Sequence, residues 1–400
     1  MPLLSLNEIC IKLRSGKSIP SVQVSREGLY PVIGGNGLRG YASEYNFDGE
    51  CAVIGRQGAA CGNVRYFSGK CYMTEHAVIA ETTHSHNARY LAYLLSMQQL
   101  GRLSGQSAQP GISVKMLGMQ RFDMPTLEYQ RKVVSILGAL DDKILVNSRI
   151  NDHLLEYART IFEKWLASTH INYVPVADIA EFNPDNYSPR EQWPLVQYLD
   201  TGNITRGIVE SYQAIDPQSE RLPSRARRKV TSGDIIYSSV RPIQKHYGLI
   251  LSPAKNVLVS TGFTVIRAND RLVCPELLYL FLTQDSVTKT LQQIAEQSVS
   301  TYPSIKADDL GALQFPLPSS KEAAELQPAL KDIFGAIDSN RQECKQLAKL
   351  RDALLPKLMS GEIDVSWIDL KQLNGHLVRL RTLVIVSRST VYCMRAPFVG

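Results

Sequence analysis

The chain has 400 residues, 44% of them hydrophobic and 20% charged. That is enough for two or three domains with cores of their own, and the composition excludes a disordered or fibrous polymer. The formal charge of +6 says little about nucleic acid, because Lys371, Arg379, Arg381, Arg388 and Arg395, in the acid-free stretch 371–400, supply all but one of those net charges. Only local basic clusters can argue for DNA. No apolar run approaches the ~18 residues needed to span a bilayer. The N-terminus MPLLSLNEICIKLRSG lacks a signal-peptide layout, so a cytoplasmic location without membrane contact is expected. The seven cysteines form no CxxC pair, and the spacing of Cys51, Cys61 and Cys71 fits no zinc site, so reduced thiols are expected rather than a metal. His84 and His86 stand in the polar run THSHN and are expected to be solvated.

Residues 1–124 read as a mixed domain of short strands and turns. Tyr30–Ile33 leads into the Gly-rich turn Gly34–Gly40, and Cys51–Ile54 into Gly55-Arg56-Gln57-Gly58. Asn63–Tyr66 and Ala77–Ala80 are two more strands, Ala88–Met97 a helix, and Gln120–Met124 a last strand.

Residues 125–170 are dominated by one uninterrupted helical pattern from Leu127 to about Ser168, roughly 60 Å long at about 1.5 Å per residue. Ile136, Leu140, Lys143, Asn147, Ile150, Leu154, Tyr157 and Ile161 recur at steps of three and four and predict an apolar seam, widened by Leu137, Ile144 and Trp165. Such a stripe wants a partner helix. The motif Ile136-Leu137-Gly138-Ala139-Leu140-Asp141 returns as Ile333-Phe334-Gly335-Ala336-Ile337-Asp338. The same offset carries the seam onto Ile333, Ile337, Asn340, Cys344, Leu347, Arg351, Leu354 and Leu358, within a second helix expected in 317–365. Asn147 and Asn340 are polar positions in that seam, costly to stability but able to fix register.

Residues 171–316 repeat the plan of the first domain with little identity. Gly233–Tyr237 stands where Gly49–Val53 stood, Ser260–Ile266 matches Met73–Ile79, and Leu277–Phe281 answers Leu91–Leu95. Tyr302-Pro303-Ser304-Ile305 answers Gln109-Pro110-Gly111-Ile112, and Gln314–Pro318 answers Arg121–Pro125. The expected architecture is a mixed α/β tandem: two domains separated by two long antiparallel helices that form a coiled-coil spacer, with pseudo-two-fold repetition. Residues 366–400 form an atypical basic tail without a counterpart in the first unit. Because 371–400 lie beyond the repeat, they are expected to be dispensable.

The chemistry-bearing motifs are few. Gly35–Gly40 fits GxGxxG, but loop and turn are expected after it rather than the helix a dinucleotide site requires. No GxxxxGK[ST] and no [DN]PP[YF] occurs; Asn183-Pro184-Asp185-Asn186 fails at its third position, and Glu343-Cys344-Lys345 lies inside a helix. No catalytic or metal-binding constellation stands out. What remains are basic and amide-bearing loops: Arg39, Arg56, Gln57 and Arg65 in the first domain, and Arg225, Arg227, Arg228, Lys229, Ser238, Ser239, Arg241 and Lys245 in the second. Arg and Gln can read purine edges bidentately, while Ser and Lys serve bases and phosphates.

The pattern resembles the specificity (S) subunit of type I restriction–modification systems. The residues carrying the resemblance are the repeated Phe122–Pro125 and Phe315–Pro318 ahead of each long helix, Ile136–Ile144, Leu350–Val365, Tyr30–Tyr41 and Gly233–Arg241. The resemblance implies two target-recognition domains, each reading half of a split site in double-stranded DNA. It implies a non-catalytic chain docking two methyltransferase (M) subunits and joined by restriction (R) subunits. S-adenosylmethionine, ATP and Mg2+ are then used by those partners, and no cofactor is bound by this chain. A coiled-coil scaffold or adaptor without DNA readout is the alternative. The bases read are not written in the sequence.

Overall fold

The computed structural model describes residues 2–104, 111–168, 172–297 and 303–369. The chain divides into two compact units, one built from residues 1–144 and 345 onward, the other from 145–344.

The first unit is built on a six-stranded sheet in the order Cys10–Ser15, Ala77–Thr82, Phe47–Gly55, Val64–Met73, Tyr30–Gly34, Gly37–Ala42. All neighbours are antiparallel except Tyr30–Gly34 against Val64–Met73. The helix Ala88–Ser96 starts at Asn87, whose side chain accepts from the Tyr90 amide at 3.0 Å. It sends Tyr90, Leu91 and Leu95 into a core with Leu6, Ile9, Ile54 and Val78. Val133 and Leu137 of the first long helix close this core, together with Leu358, Val365 and Ile368 from the far end of the described chain.

The second unit holds two four-stranded sheets. One runs Ala180–Phe182, Phe263–Ala268, Ile235–Ser238, Tyr247–Leu249, the other Gln213–Ile215, Val196–Leu199, Val257–Ser260, Ala226–Lys229. Its main core takes in Ala158, Phe162 and Trp165 of the first long helix and Leu330, Ile333, Phe334 and Ile337 of the second.

The repeat is legible in the backbone hydrogen bonds of each unit. Leu6 N–H donates to Gln120 O at 2.8 Å, and Val176 N–H to Leu313 O at 2.9 Å. Thr83 N–H donates to Ile9 O at 3.0 Å, and Asn269 N–H to Ile179 O at 2.8 Å. Leu3–Ser5 pairs with Arg121–Asp123, and Asn172–Pro175 with Gln314–Leu317. The strand correspondence expected from sequence is one residue out. Ala52 faces Ala80 in the first unit and Ile235 faces Ile266 in the second, so Ile235 matches Ala52 rather than Cys51. These strands are buried on both faces, so no alternation of apolar and polar residues marks which side chain points which way.

A second difference lies at Gly37–Gly40. The expected Gly-rich turn is confined to Gly35 and Asn36, and Gly37–Ala42 continues as a strand paired with Tyr30–Gly34. A two-residue turn permits a hairpin here because Gly37 has φ +103°, beyond the reach of most side chains. No helix opens on these glycines, which removes the dinucleotide geometry.

The long helices run Leu127–Ser168 and Ser320–Ser360, the second started by a reciprocal cap between Ser319 and Glu322. Within each unit their segments pair antiparallel. In the first, Tyr129 Oη donates to Leu358 O at 2.8 Å and Arg351 to Asp141 at 2.8 Å. In the second, Asn147 Nδ2 donates to Glu343 at 2.7 Å, Asn340 Nδ2 to Asn151 Oδ1 at 2.9 Å, and Trp165 Nε1 to Glu322 at 3.2 Å. Ile333, Ile337, Leu358 and Asn147 are buried, while Ile136, Leu140, Leu154, Ile161, Asn340, Leu347 and Leu354 are half-buried. Ile150 and Tyr157, expected in the seam, are 42% and 57% exposed. From Asn147 onward the inward positions are Asn151, Leu154, Ala158, Phe162 and Trp165. Their mean step is that of a straight helix with about 3.6 residues per turn, so a stripe laid out in alternating threes and fours drifts off the packed face.

Candidate nucleic-acid interface

In both units one end of the sheet carries a loop locked in the same way. In the first, Arg56 N–H donates to His76 O and Ile112 N–H to Arg56 O, both at 2.9 Å, and Gln57 bridges to Gly111. In the second, Ser239 N–H donates to Gly262 O and Ile305 N–H to Ser239 O, both at 2.8 Å, and Val240 bridges to Ser304. The pairing of Gly111-Ile112 with Ser304-Ile305 is the one expected from sequence. Each loop follows a buried strand, Phe47–Gly55 or Ile235–Ser238, so a rigid element sets its position.

The structure brings the four candidates of the first unit together around the turn at Gly34–Gly37. Arg39 lies across Gly34, where its Cδ would sit 2.7 Å from an added Cβ. Arg65 donates from Nη1 to Asn36 O at 2.7 Å and fills the space in which any side chain at Gly37 would stand. Gly35 packs against Gly55 and the Arg56 amide. Arg56 Nη1 reaches Ser15 Oγ at 3.3 Å. Gln57 is exposed, with its Oε1 3.0 Å from His76 Nδ1, and the other ring nitrogen lies 3.2 Å from Glu75. Beneath them, Thr74 is 0% exposed and its hydroxyl has no hydrogen-bond partner, nor has Oε2 of Glu75.

The candidates of the second unit divide. Ser239 and Arg241 sit on the locked loop, Arg241 exposed with φ 47° and its N–H donating to Pro303 O. Ser239 Oγ lies 3.3 Å from Thr264 Oγ1. Arg225 is exposed, and its carbonyl accepts from Thr261 N–H. Arg227 lines a cleft of about 630 Å³ with Tyr187, Gln192, Trp193 and Leu222. The others are engaged internally. Ser238 is 2% exposed and hydrogen-bonds the backbone of Val240. Arg228 is tied to the Asn183 side chain and the Phe263 carbonyl, and burial lowers its pKa from the ordinary arginine value. Lys229 pairs with Glu191 at 2.7 Å beside the Trp193 ring, and Lys245 pairs with Asp285.

Sequence reasoning passed over the polar triplet Thr74-Glu75-His76. Its signal was its place, immediately before the apolar strand Ala77–Thr82 and therefore at the same sheet end as Gln57. Among the described residues, no group of three His, Cys, Asp or Glu could hold a metal, and no helix is long and apolar enough to cross a membrane.

Comparison with known proteins bears on this geometry. Residues 3–156 match the family described as "Type I restriction modification DNA specificity domain". The EcoprrI specificity subunit of Escherichia coli is 35% identical over 166 residues, 40% of this chain and 41% of that one. The HindI specificity subunit of Haemophilus influenzae is 28% identical over 40% of this chain, and the match spans 35% of that relative's length. The MjaIX specificity subunit of Methanocaldococcus jannaschii is 21% identical over 88% of this chain and 91% of its own. A crystal structure of the type I S subunit from M. genitalium shares the fold, with a TM-score of 0.57, 15% identity, and coverage of 89% of this chain and 95% of that one. Residues 3–156 are thus similar to a type I restriction modification DNA specificity domain, the matches to the first two relatives span less than half of those proteins' length, and the M. genitalium structure shares the fold.

Proposed function

We propose that this chain is the DNA specificity subunit of a type I restriction–modification complex. Each unit reads one half of a bipartite site in double-stranded DNA, and the long helices dock two methyltransferase subunits, which restriction subunits join. The chain performs no catalysis. S-adenosylmethionine, ATP and Mg2+ serve the partner subunits. In this reading the locked loops face DNA, with Arg39, Arg56, Gln57 and Arg65 in the first unit and Arg225, Arg227, Ser239 and Arg241 in the second.

The observation that carries the proposal is one hydrogen-bonded frame used twice with different side chains at its end. A frame that is kept while its surface changes suits two readers of different sequences. A scaffold without readout gives no reason for two differently furnished loop ends on the same frame, and is not favoured.

The test is an exchange. Co-expressed with its methyltransferase subunit in a host lacking other adenine methylation, the chain is expected to mark one split sequence, which methylome sequencing displays. Replacing residues 172–316 by the corresponding unit of another specificity subunit should alter one half of that site and leave the other intact. Methylation of no defined sequence by the parent complex would sink the reading, and a change in both halves would sink independent reading by the two units.

A further inference from the structure

We infer that Gln57 is a specificity-determining residue of the first unit, reading one adenine through its carboxamide, and that His76 is its positioning residue. The inference rests on the reading of this chain as a DNA specificity subunit and adds a residue, a base and a direction of change.

Three observations converge. Gln57 follows Arg56, whose N–H and C=O are both held, by His76 O and Ile112 N–H, and Gln57 itself bridges to Gly111. Its backbone cannot shift without breaking that frame. Its side chain is exposed yet not free to wander, because the amide oxygen is 3.0 Å from His76 Nδ1 and that ring is tethered in turn at 3.2 Å from Glu75. Fixing an exposed glutamine removes much of the rotamer entropy that a contact would otherwise cost. The surroundings complete the picture: Arg39, Arg56 and Arg65 supply positive charge around the turn, and the Thr74 hydroxyl lies buried without a partner at its base.

The chemistry selects the base. A carboxamide offers an N–H donor and an oxygen acceptor side by side, which matches N7 and the N6 amino group of adenine in the major groove and no other base as well. The bond to His76 uses one position of one amide atom. The carbonyl has two lone pairs and the amino group two hydrogens, so the donor–acceptor pair is kept. The same frame in the second unit carries Val240, which has no such pair. The two half-sites should therefore differ at this position.

The test uses the complete complex of this chain with its methyltransferase subunit. The parent, Gln57→Ala, Gln57→Glu and His76→Ala are compared by methylome sequencing and by binding to duplexes randomised at each position of the half-site. The parent should prefer adenine at one position of the first unit's half-site. Gln57→Ala should lose that preference by roughly ten- to hundredfold, with every other position unchanged. Gln57→Glu, an acceptor only, should move the preference toward cytosine, whose N4 amino group donates. His76→Ala should weaken the adenine preference at that position alone. An unchanged site in Gln57→Ala, or a loss spread evenly over all sequences, overturns the assignment, since a phosphate or folding role would act uniformly. Failure of the parent complex to mark any defined site is a different result and defeats the underlying functional reading instead.

Discussion

Arg227 and Arg228 are adjacent in the strand Ala226–Lys229, where a register shift between Ala226 and Arg228 makes Arg227 the extra residue of a bulge, and the two side chains meet different surroundings. Arg227 reaches the exposed cleft beside Trp193, whereas Arg228 is consumed by Asn183 and the Phe263 carbonyl. Replacing Arg228 with Met should therefore leave the methylated sequence intact and lower stability by about 1–3 kcal/mol, the cost of buried acceptors losing their donor. Thermal unfolding and methylome sequencing of the same variant check both halves of that statement; an altered half-site with unchanged melting would make Arg228 a reader instead. The cysteines offer a residue-scale prediction tied to pH. Burial pushes the thiols of Cys10 and Cys71 up to about 12, so both stay protonated in the folded chain through mildly alkaline pH. Alkylation at about pH 8 should therefore reach the half-buried Cys61 well before Cys10 or Cys71. Raising the pH by one unit should leave the order unchanged; equal rates for all three in the folded protein would contradict it.

The twin glycines of the long helices show how one motif can serve two environments. Gly138 and Gly335 occupy the same place in Ile-Leu-Gly-Ala-Leu-Asp and Ile-Phe-Gly-Ala-Ile-Asp. A Cβ on Gly335 would meet nothing within 4 Å, while one on Gly138 would stand 3.0 Å from Arg89 Nη1. Arg89 cannot easily yield. It donates to Gly138 O at 3.1 Å, pairs with Asp142 at 2.9 Å and stacks on Tyr66. Gly335→Ala should stabilise the chain by about 1 kcal/mol, as expected for an open helix interior, whereas Gly138→Ala should give no such gain and loosen the Arg89 clamp. Chemical denaturation of the two variants side by side decides it, and equal stabilisation by both would refute the role given to Arg89. The motif was legible in the sequence, as were both long helices, because their periodicity extends over many turns. The clamp was not, because Arg89 is distant in the chain and no local pattern links it to Asp141 or Asp142. Short-range punctuation failed for a related reason. The strand Gly37–Ala42 is rich in glycine, and its pairing with Tyr30–Gly34 overrides weak local preference. At the candidate interface, the sequence offered Arg39, Arg56, Gln57 and Arg65 by residue type alone. It could not distinguish Ser238, Arg228 and Lys245, whose partners lie on other elements.

The first unit is assembled from two separate stretches of chain, residues 1–144 and 345 onward, which limits where the chain can be cut. Its core contains Leu6, Ile54 and Leu91 from the early sequence, Leu358 from the last turn of the second long helix, and Val365 and Ile368 from residues beyond that helix. Val365 is 0% exposed, Ile368 6%, and Lys132 donates to Ser366 O at 3.0 Å. The segment 361–369 is therefore part of the first unit, although residues 366–369 read locally as the start of the basic tail. Burying a Val or Ile side chain contributes about 1.5–3 kcal/mol each. Losing both should cost roughly 3–6 kcal/mol, a large share of the ~5–15 kcal/mol by which a domain is stable. Two truncations separate this segment from residues 371–400, which lie outside the described residues. A chain ending after Asp369 should melt like the full chain and mark the same DNA site. A chain ending after Ser360 should melt on the order of 10 °C lower. The damage should also be local. Amide exchange should quicken in Phe47–Gly55 and Ala77–Thr82, whose side chains contribute to the opened core, while Ile235–Ser238 and Phe263–Ala268 keep their protection, because their core draws on Leu330, Ile333 and Phe334 instead. Equal melting of the two truncated chains would show that Val365 and Ile368 contribute nothing, and deprotection confined to the second unit would show that the segment closes a different core.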